Sequence, residues 1–264
     1  MRTLACYAIK GGVGKTAGAV NLAWLAAEQG YRVILWDLDP QGAASFYLGV
    51  KAKVKGAAGK LLKDKDGLAE RLRPSAHANL DLLPADFRYR HMDRQLDDHK
   101  KPEQRLGKLL AGLRKHADLV ILDCPPSVSL VSENVFTAAD AILTPLIPTT
   151  LSLRTLAQLR ELGREVAAEV GRPPTPIWPY LSMIDRRKRL HREIAEQVAA
   201  AEPDLMGDAI PYASAVEQMG LERQPLPLFA PRSPATQAFR NLWRDVDGRL
   251  FGPRLAPVAK RATV

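Results

Sequence analysis

The feature that most constrains the fold is a glycine-rich segment near the start of the chain, Lys10-Gly11-Gly12-Val13-Gly14-Lys15-Thr16. A short apolar run, Leu4–Ile9, precedes it, and an Ala/Leu-rich stretch at helical spacing, Ala17–Gln29, follows it. Glycines let a backbone wrap closely round an anion because they have no Cβ, and the N-terminus of the following helix favours negative charge. A strand, this loop and a helix in that order therefore predict a phosphate-binding loop (P-loop).

The residue types in the loop predict which groups they bind. We expect Lys15 to reach the β- and γ-phosphates of a nucleotide and Thr16 to ligate Mg²⁺. The loop departs from the general G-x-x-x-x-G-K-[ST] pattern, because Ile9 occupies the first glycine position and an additional lysine, Lys10, stands beside it. The predicted nucleotide-binding residues are Gly11, Gly12, Val13, Gly14, Lys15, Thr16 and Ala17.

Short apolar runs alternate with amphipathic stretches along the rest of the chain. The predicted strands are Arg32–Trp36, Leu80–Leu83, Leu119–Leu122, Ala141–Ile147 and Ile177–Ile184, and the predicted helices span roughly 56–72, 103–116, 150–170, 188–201 and 234–250. Strands that are apolar almost throughout, in alternation with helices, are typical of a parallel sheet covered on both faces. We predict a single α/β domain, residues 1–251, with a doubly wound, mostly parallel sheet, followed by a flexible C-terminal tail, residues 252–264.

Composition narrows the class of protein. The chain has 264 residues, which is enough for a sizeable core. Hydrophobic residues make up 46% and charged residues 25%, a composition typical of a globular protein and not of a disordered one. Cys6 and Cys124, its two cysteines, are too few for a disulfide framework, and we expect both to be reduced core residues. No apolar run approaches the ~20 residues of a membrane span and no signal-peptide pattern is present, so we expect a cytoplasmic protein. The net charge of +9 indicates an anionic partner.

Carboxylates follow two of the predicted strands. Asp37 and Asp39 come at the end of the second strand, two residues apart, so both could face the phosphate loop. Asp123 follows the most apolar strand, Leu119–Leu122. Ligands of open α/β sheets bind at the carboxyl ends of strands, and carboxylate, hydroxyl and phosphate oxygens are what Mg²⁺ prefers. These acids and the P-loop together predict a Mg²⁺–nucleotide site.

This combination of motifs resembles the ParA family of deviant-Walker ATPases, within the wider ParA/MinD group. The resemblance covers about residues 3–247. Its most specific parts are the lysine loop Lys10–Thr16, the segment Asp37-Leu38-Asp39-Pro40-Gln41-Gly42 and the Walker B segment Leu122-Asp123-Cys124-Pro125-Pro126-Ser127. Met183-Ile184-Asp185-Arg186-Arg187 and Ile210-Pro211 resemble two later motifs of the family.

The resemblance implies an ATPase whose two ATP-bound subunits sandwich the nucleotides face to face. Lys10 would reach across to the phosphates of the partner subunit, and Lys15 would bind phosphate within its own subunit. The expected Mg²⁺ residues are Thr16, Asp123 acting through water and Asp37 in support. Asp39 would position the attacking water. Lys10, Lys15 and Asp39 are therefore the expected catalytic residues.

The same resemblance implies a dimer that binds double-stranded DNA without sequence specificity and associates with the nucleoid. A ParB-like protein or a cargo adaptor would stimulate hydrolysis, and the cycle would move DNA or another cargo. Basic clusters suit phosphate contacts, because each neutralised phosphate releases a counterion. The expected DNA-binding residues are Arg186, Arg187, Lys188, Arg189 and Arg192, and also Arg240 and Arg244, which are four apart and share a helix face.

Other functions stay open at this point. Many relatives carry arginines after the Ile-Pro motif, whereas Tyr212–Gln218 has none, so a cargo-tethering nucleotide switch without DNA binding is an alternative. A MinD-like membrane switch is disfavoured because the tail Leu250–Val264 has two prolines and no clean apolar face. An iron–sulfur reductase would need cysteines that bridge two subunits. A nucleotide-binding scaffold without turnover and a small-molecule kinase or synthetase are the remaining alternatives.

Overall fold

The computed structural model of the chain describes residues 1–50, 67–98 and 100–252, and its centre is a seven-stranded sheet. The strands are β1 (Arg2–Cys6), β2 (Val33–Asp37), β3 (Arg73–Pro74), β4 (Leu80–Leu83), β5 (Leu119–Asp123), β6 (Ala141–Leu146) and β7 (Ile177–Leu181). Their spatial order is β3-β4-β2-β5-β1-β6-β7. All neighbours pair in parallel except β3, a two-residue edge strand that runs antiparallel to β4.

Helices connect the strands. They are α1 (Lys15–Glu28), α2 (Ala43–Tyr47), α3 (Met92–Asp97), α4 (Arg105–Ala111), α5 (Leu130–Ala138), α6 (Ser152–Glu169), α7 (Arg189–Ala201), α8 (Ser214–Glu222), α9 (Leu226–Phe229) and α10 (Pro234–Phe251). Short 3₁₀ segments lie at Ala69–Arg71, Phe87–His91 and Pro102–Gln104.

Side chains of the strands alternate between two apolar cores, one on each face of the sheet. On β2, Leu35 belongs to the core formed with α1 and α10, whereas Ile34 and Trp36 belong to the core formed with α3 to α6. Each fully buried aliphatic side chain stabilises the fold by roughly 2 kcal/mol. The predicted doubly wound sheet with helices on both faces is confirmed.

The strand order brings the carboxyl ends of β1, β2 and β5 together at one end of the sheet. β5 lies between β1 and β2, and in the two registers Asp123 is opposite both Cys6 of β1 and Asp37 of β2. The P-loop leaves β1 at this end. Sequence-distant carboxylates and the glycine loop are therefore neighbours because of the strand order.

Several element boundaries differ from the sequence-based predictions. The predicted helix 56–72 falls largely outside the described residues, and its described part holds only the 3₁₀ turn Ala69–Arg71, so that part of the prediction was wrong. The helix predicted over 103–116 ends at Ala111. The last predicted strand ends at Leu181, because Met183 turns the chain with a φ of 60°. Residues 253–264 of the predicted tail lie outside the described residues, and the 1–251 boundary stays a prediction.

Some helices were not predicted at all. α5 was missed because Ser132, Glu133 and Asn134 interrupt its apolar pattern. A reciprocal cap begins it, since the Ser129 N–H donates to Ser132 Oγ at 2.8 Å and the Ser132 hydroxyl donates to the Ser129 carbonyl at 2.6 Å. α2, α3, α8 and α9 are short, and short helices depend on tertiary packing more than on local pattern.

Candidate nucleotide-binding site

The P-loop has the backbone geometry of an anion cradle. Gly12 and Gly14 have φ of 70° and 96°, a region that other residues rarely adopt. A Cβ on Gly14 would lie 2.8 Å from Ser182 Oγ, so the position excludes larger residues on steric grounds as well. No side chain caps the N-terminus of α1. Its first N–H groups are therefore available to an anion.

An open pocket of about 770 Å³, open solvent included, lies above the P-loop. The residues that line it come from the P-loop and the start of α1, from the β2–α2 segment including α2, from the loops after β5 and β7, and from α8. They are Gly11, Gly12, Gly14, Lys15, Thr16, Ala17, Asp39, Ala43, Tyr47, Pro126, Met183, Val216 and Glu217. Of the predicted nucleotide-binding residues, only Val13 is not part of this lining. Its side chain is buried and lines, with Lys10, a groove next to α6.

Lys15 is held at the base of the pocket. Its side chain is buried, and its Nζ donates to the Lys10 carbonyl oxygen at 3.1 Å. Burial lowers the pKa of Lys15, and the nearby carboxylates of Asp123 and Asp39 act in the opposite direction. A buried cation at the end of a glycine cradle suits an anionic ligand, because such a ligand relieves the desolvation of the lysine. The side chain of Lys10, by contrast, is exposed.

Asp123 is fully buried, and in the described part of the chain neither of its carboxylate oxygens accepts a well-formed hydrogen bond, although the Thr16 hydroxyl lies close to it. Burial raises the pKa of Asp123 well above its usual range, the charge of Asp37 raises it further, and Thr16 and Lys15 oppose the rise. An orphaned buried carboxylate is costly unless it binds a cation. Asp123 and the Thr16 hydroxyl therefore fit Mg²⁺, a hard cation that takes oxygen ligands.

Asp37 is the register neighbour of Asp123 and contacts α2. Its Oδ2 accepts hydrogen bonds from the Ser45 N–H at 2.8 Å and from the Ser45 hydroxyl at 2.7 Å, whereas its buried Oδ1 has no partner. Burial raises the pKa of Asp37 to about 6, and the bonds from Ser45 oppose the rise. Ser45, which sequence reasoning missed, thus holds one oxygen of Asp37 and leaves the other unoccupied by the described residues.

Asp39 lies beyond the end of β2. Its Oδ1 accepts a hydrogen bond from the Gln41 N–H at 2.9 Å, and its side chain lines the pocket. The sequence suggested that Asp37 and Asp39 could both face the P-loop as alternate residues of one strand. The structure ends the strand at Asp37, whose carboxylate contacts Ser45, and the shared orientation towards the P-loop stays a prediction.

A metal site made of protein side chains alone is not found in the described ranges, where no three His, Cys, Asp or Glu side chains are grouped to hold an ion. Cys6 and Cys124 are free and buried, as predicted. None of the helices in the described residues is long and apolar enough to span a membrane.

The predicted basic cluster lies at the start of α7, where its arginines already make local contacts. Arg187 Nε donates to Asp185 Oδ1 at 2.9 Å, and Arg189 Nε donates to Glu193 Oε1 at 2.6 Å. Arg192 donates to the Arg186 carbonyl at 2.7 Å. All five basic side chains of the cluster are nevertheless exposed. Their ion pairs therefore lie on the surface, where solvent can reach them.

The second predicted pair lies on a different element, α10. Arg240 forms an ion pair with Glu28 of α1 at 2.6 Å, and its guanidinium lies 6.0 Å from the centre of the Trp24 ring. Arg244, one turn further on, is exposed. Arg240 thus has a structural contact to α1, which its spacing in the sequence did not predict.

Part of the pocket wall escaped sequence reasoning. The motif-like segments Met183–Arg187 and Ile210-Pro211 pointed to this region, but α8 and its pocket residues Val216 and Glu217 carried no recognisable pattern. Met183 has a positive φ of 60°, an uncommon backbone conformation for a residue other than glycine.

Comparisons with known proteins identify the family of this chain. A family model described as an AAA domain matches residues 1–172. The sporulation initiation inhibitor protein Soj of Bacillus subtilis is 31% identical over 239 residues, which are 90% of this chain and 94% of Soj. The chromosome partitioning protein ParA of Caulobacter vibrioides is 31% identical over 253 residues, which are 94% of this chain and 95% of that protein.

A solved structure carries the same fold with a nucleotide. It is described as cobyrinic acid a,c-diamide synthase from Mycobacterium smegmatis with bound ADP and magnesium. Its TM-score is 0.79 at 27% identity, and the match covers 97% of this chain and 98% of that one. Since Soj and ParA match at 31% identity over at least 90% of its length, this chain belongs to the ParA family of P-loop ATPases.

Proposed function

We propose that this chain is an ATP-driven partition or positioning protein. It binds ATP and Mg²⁺, forms an ATP-sandwich dimer that binds DNA without sequence specificity, and hydrolyses ATP to release it. The observation that carries the proposal is the pocket in which the P-loop and Asp39 lie beside the buried, unpartnered Asp123. The names of the curated relatives, Soj and ParA, support the partition role.

The phosphate end of the site does most of the binding. The N–H groups of the P-loop and Lys15 Nζ would hold the phosphates, and Thr16 and Asp123 would hold the cation, with Asp37 beside Asp123 on the neighbouring strand in support. Mg²⁺ neutralises charge on the phosphoryl group when bound. ADP and magnesium in the mycobacterial structure support this choice of ligands. Phosphoryl transfer is mostly positioning and charge stabilisation, so these groups need little covalent chemistry.

Hydrolysis needs an oriented water and a second subunit. Asp39 lines the pocket, and its carboxylate can accept a hydrogen bond that the attacking water donates. Lys10 is exposed at the start of the P-loop, from which it can reach the phosphates bound by a partner subunit. A weak ATPase of the free protein and stimulation by a ParB-like or adaptor protein follow from the family to which the chain belongs.

The DNA-binding part of the proposal depends on charge. A net charge of +9 and the exposed cluster Arg186–Arg192 suit a polyanion, and dimerisation doubles each patch, so that two weak contacts become one avid contact. Such a protein would be cytoplasmic and nucleoid-associated while it holds ATP.

A cargo tether that does not bind DNA is the second candidate. It is favoured by the ion pairs that occupy Arg187, Arg189 and Arg240, and by the absence of arginines in Tyr212–Gln218. In that case the protein would bind and hydrolyse ATP in the same way. The ATP-bound dimer would then bind a cargo instead of DNA.

One experiment separates the two candidates. Binding to random-sequence duplex DNA is measured with no nucleotide, ADP and ATP across a salt series, for the wild type, Asp39→Ala and Lys15→Ala. Salt-sensitive binding with ATP only, prolonged in Asp39→Ala and absent in Lys15→Ala, is the expected result. If all three bind no DNA while the wild type dimerises with ATP and releases phosphate, the DNA-binding role is wrong and the tether is favoured.

A further inference from the structure

The nucleotide pocket continues into a second pocket along α8. The second pocket has a volume of about 380 Å³ and shares five lining residues with the first: Gly14, Ala17, Met183, Val216 and Glu217. Its far wall is largely apolar, with Ile210, Pro211, Ala213 and Phe239. Phosphates at the P-loop would direct the nucleoside towards this wall. The shared residues then lie where a nucleotide has its sugar.

Glu217 is an acid in the wall of an anion-binding pocket. Glu217 is exposed, so water solvates its carboxylate in the free protein, and a nucleotide that covers this carboxylate must replace that water with hydrogen-bond donors of its own. Between the phosphates and the base, the donors of a ribonucleotide are the 2′- and 3′-hydroxyls of its ribose. The two oxygens of a carboxylate can accept from both members of such a vicinal pair.

Tyr212 contacts this carboxylate at the protein surface. The exposed Tyr212 hydroxyl donates to Glu217 Oε1 at 2.9 Å, and this bond raises the pKa of Tyr212. In the described part of the chain, the structure shows no partner for Glu217 Oε2. The carboxylate is thus oriented by one bond and retains acceptor capacity towards the pocket.

α8 is also fixed relative to the P-loop helix. Asn21 of α1 donates from Nδ2 to the Ala17 carbonyl at 2.8 Å and to the Met219 sulfur at 3.3 Å, and its Oδ1 accepts from the Leu226 N–H at 2.8 Å. Met219 is fully buried two residues after Glu217. One amide therefore sets the distance between Glu217 and the N-terminus of α1, where the phosphates bind.

We propose that Glu217, oriented by Tyr212, accepts hydrogen bonds from the ribose hydroxyls and makes the site selective for ribonucleotides over deoxyribonucleotides. The inference rests on the proposed nucleotide site. It adds a specificity-determining residue at the sugar, away from the phosphate groups.

The test is equilibrium binding by calorimetry of ADP, 2′,3′-dideoxy-ADP and IDP with Mg²⁺. ADP avoids hydrolysis, and IDP lacks the exocyclic amine of adenine. The wild type is expected to bind ADP roughly tenfold more tightly than the dideoxy analogue, as hydrogen bonds to a partly exposed charged group would give. Glu217→Ala should bind both equally, at about the affinity of the wild type for the analogue.

Two further variants serve as controls. Glu222→Ala removes an exposed acid from the same helix that lines neither pocket, and it should keep the wild-type preference. Tyr212→Phe should reduce the preference without abolishing it. The assignment is overturned if Glu217→Ala still discriminates against the dideoxy analogue, or if it instead loses a preference for ADP over IDP, since the carboxylate would then face the base. A wild type that binds no ADP would contradict the proposed function itself.

Discussion

The hydroxyl of Tyr7 donates a hydrogen bond to the backbone carbonyl of Ser127 at 2.7 Å. This bond joins the residue after β1 to the loop that follows Asp123. Next to Ser127, Pro126 lies 3.7 Å from the point that a Cβ on Gly11 would occupy. The loop after Asp123 is therefore held against the phosphate loop, and burial raises the pKa of Tyr7 to about 12.

Tyr7→Phe should loosen this loop while the ring keeps its edge-to-face contact with Phe136. We expect a loss of about 1 kcal/mol in unfolding free energy, as for one buried hydrogen bond, and a several-fold lower kcat for ATP with KM little changed. Urea denaturation and phosphate release measure the two effects. Ser127→Ala keeps the accepting carbonyl and should behave as the wild type, and an equal loss in both variants would contradict the role of this bond.

The two lysines of the P-loop should fail in different ways. Lys15→Ala removes the buried cation of the phosphate cradle and should weaken Mg-ADP binding by at least about a hundredfold, or 2.7 kcal/mol. Lys10→Ala, at an exposed position, should bind Mg-ADP normally but lose ATP-dependent dimerisation. Calorimetry and light scattering distinguish them. Loss of ADP binding in Lys10→Ala would show that this lysine acts within its own subunit.

Stability of the nucleotide-free protein should depend on the protonation of Asp37. Its pKa is raised to about 6 in the fold, from 3.8 when unfolded. The unfolded chain therefore releases the proton first, and the unfolding free energy falls as the pH rises from about 4 to about 6, by at most about 3 kcal/mol. Above that window the loss is constant.

Asp37→Asn cannot ionise and should lack this loss. The difference in unfolding free energy between wild type and variant, measured by urea denaturation at several pH values between 4 and 7, is the relevant quantity. A difference that is independent of pH would contradict the raised pKa. Saturating Mg-ADP should also reduce the fall in the unfolding free energy of the wild type with rising pH, because a bound cation favours the ionised carboxylates.

Exposed basic residues without ion pairs should contribute most to DNA binding. Arg186→Ala with Lys188→Ala should weaken ATP-dependent binding to any duplex and lower its salt slope by about one for each lost phosphate contact. Arg240→Ala is the matched control, because its guanidinium pairs with Glu28, and it should change stability by less than about 1 kcal/mol and DNA affinity little. If Arg240→Ala weakens DNA binding and the double variant does not, the DNA contacts α10 instead of the start of α7.

Local patterns predicted the P-loop, most strands and the long helices. Glycine spacing, apolar strands and amphipathic periods are short-range signals, so the strand at Leu80–Leu83 and the helix at 188–201 were identified almost to the residue. Short elements such as α8 were missed because their apolar faces are defined by what packs on them. Glu217 could not be recognised for the same reason, since α8 reaches the P-loop through Asn21 and Met219, about two hundred residues apart in the chain.

The sequence by itself determined the chemistry of the protein: a glycine loop with Lys15 and Thr16, acids after two apolar strands, and an alternation that favours a mostly parallel sheet. Tertiary structure decided which of these groups meet. Placing β5 between β1 and β2 set Asp123 beside Asp37, and the packing of α2 brought Ser45 to Asp37, whereas Asp39 lines the pocket. Register and packing act between residues far apart in the chain, and no local pattern encodes them.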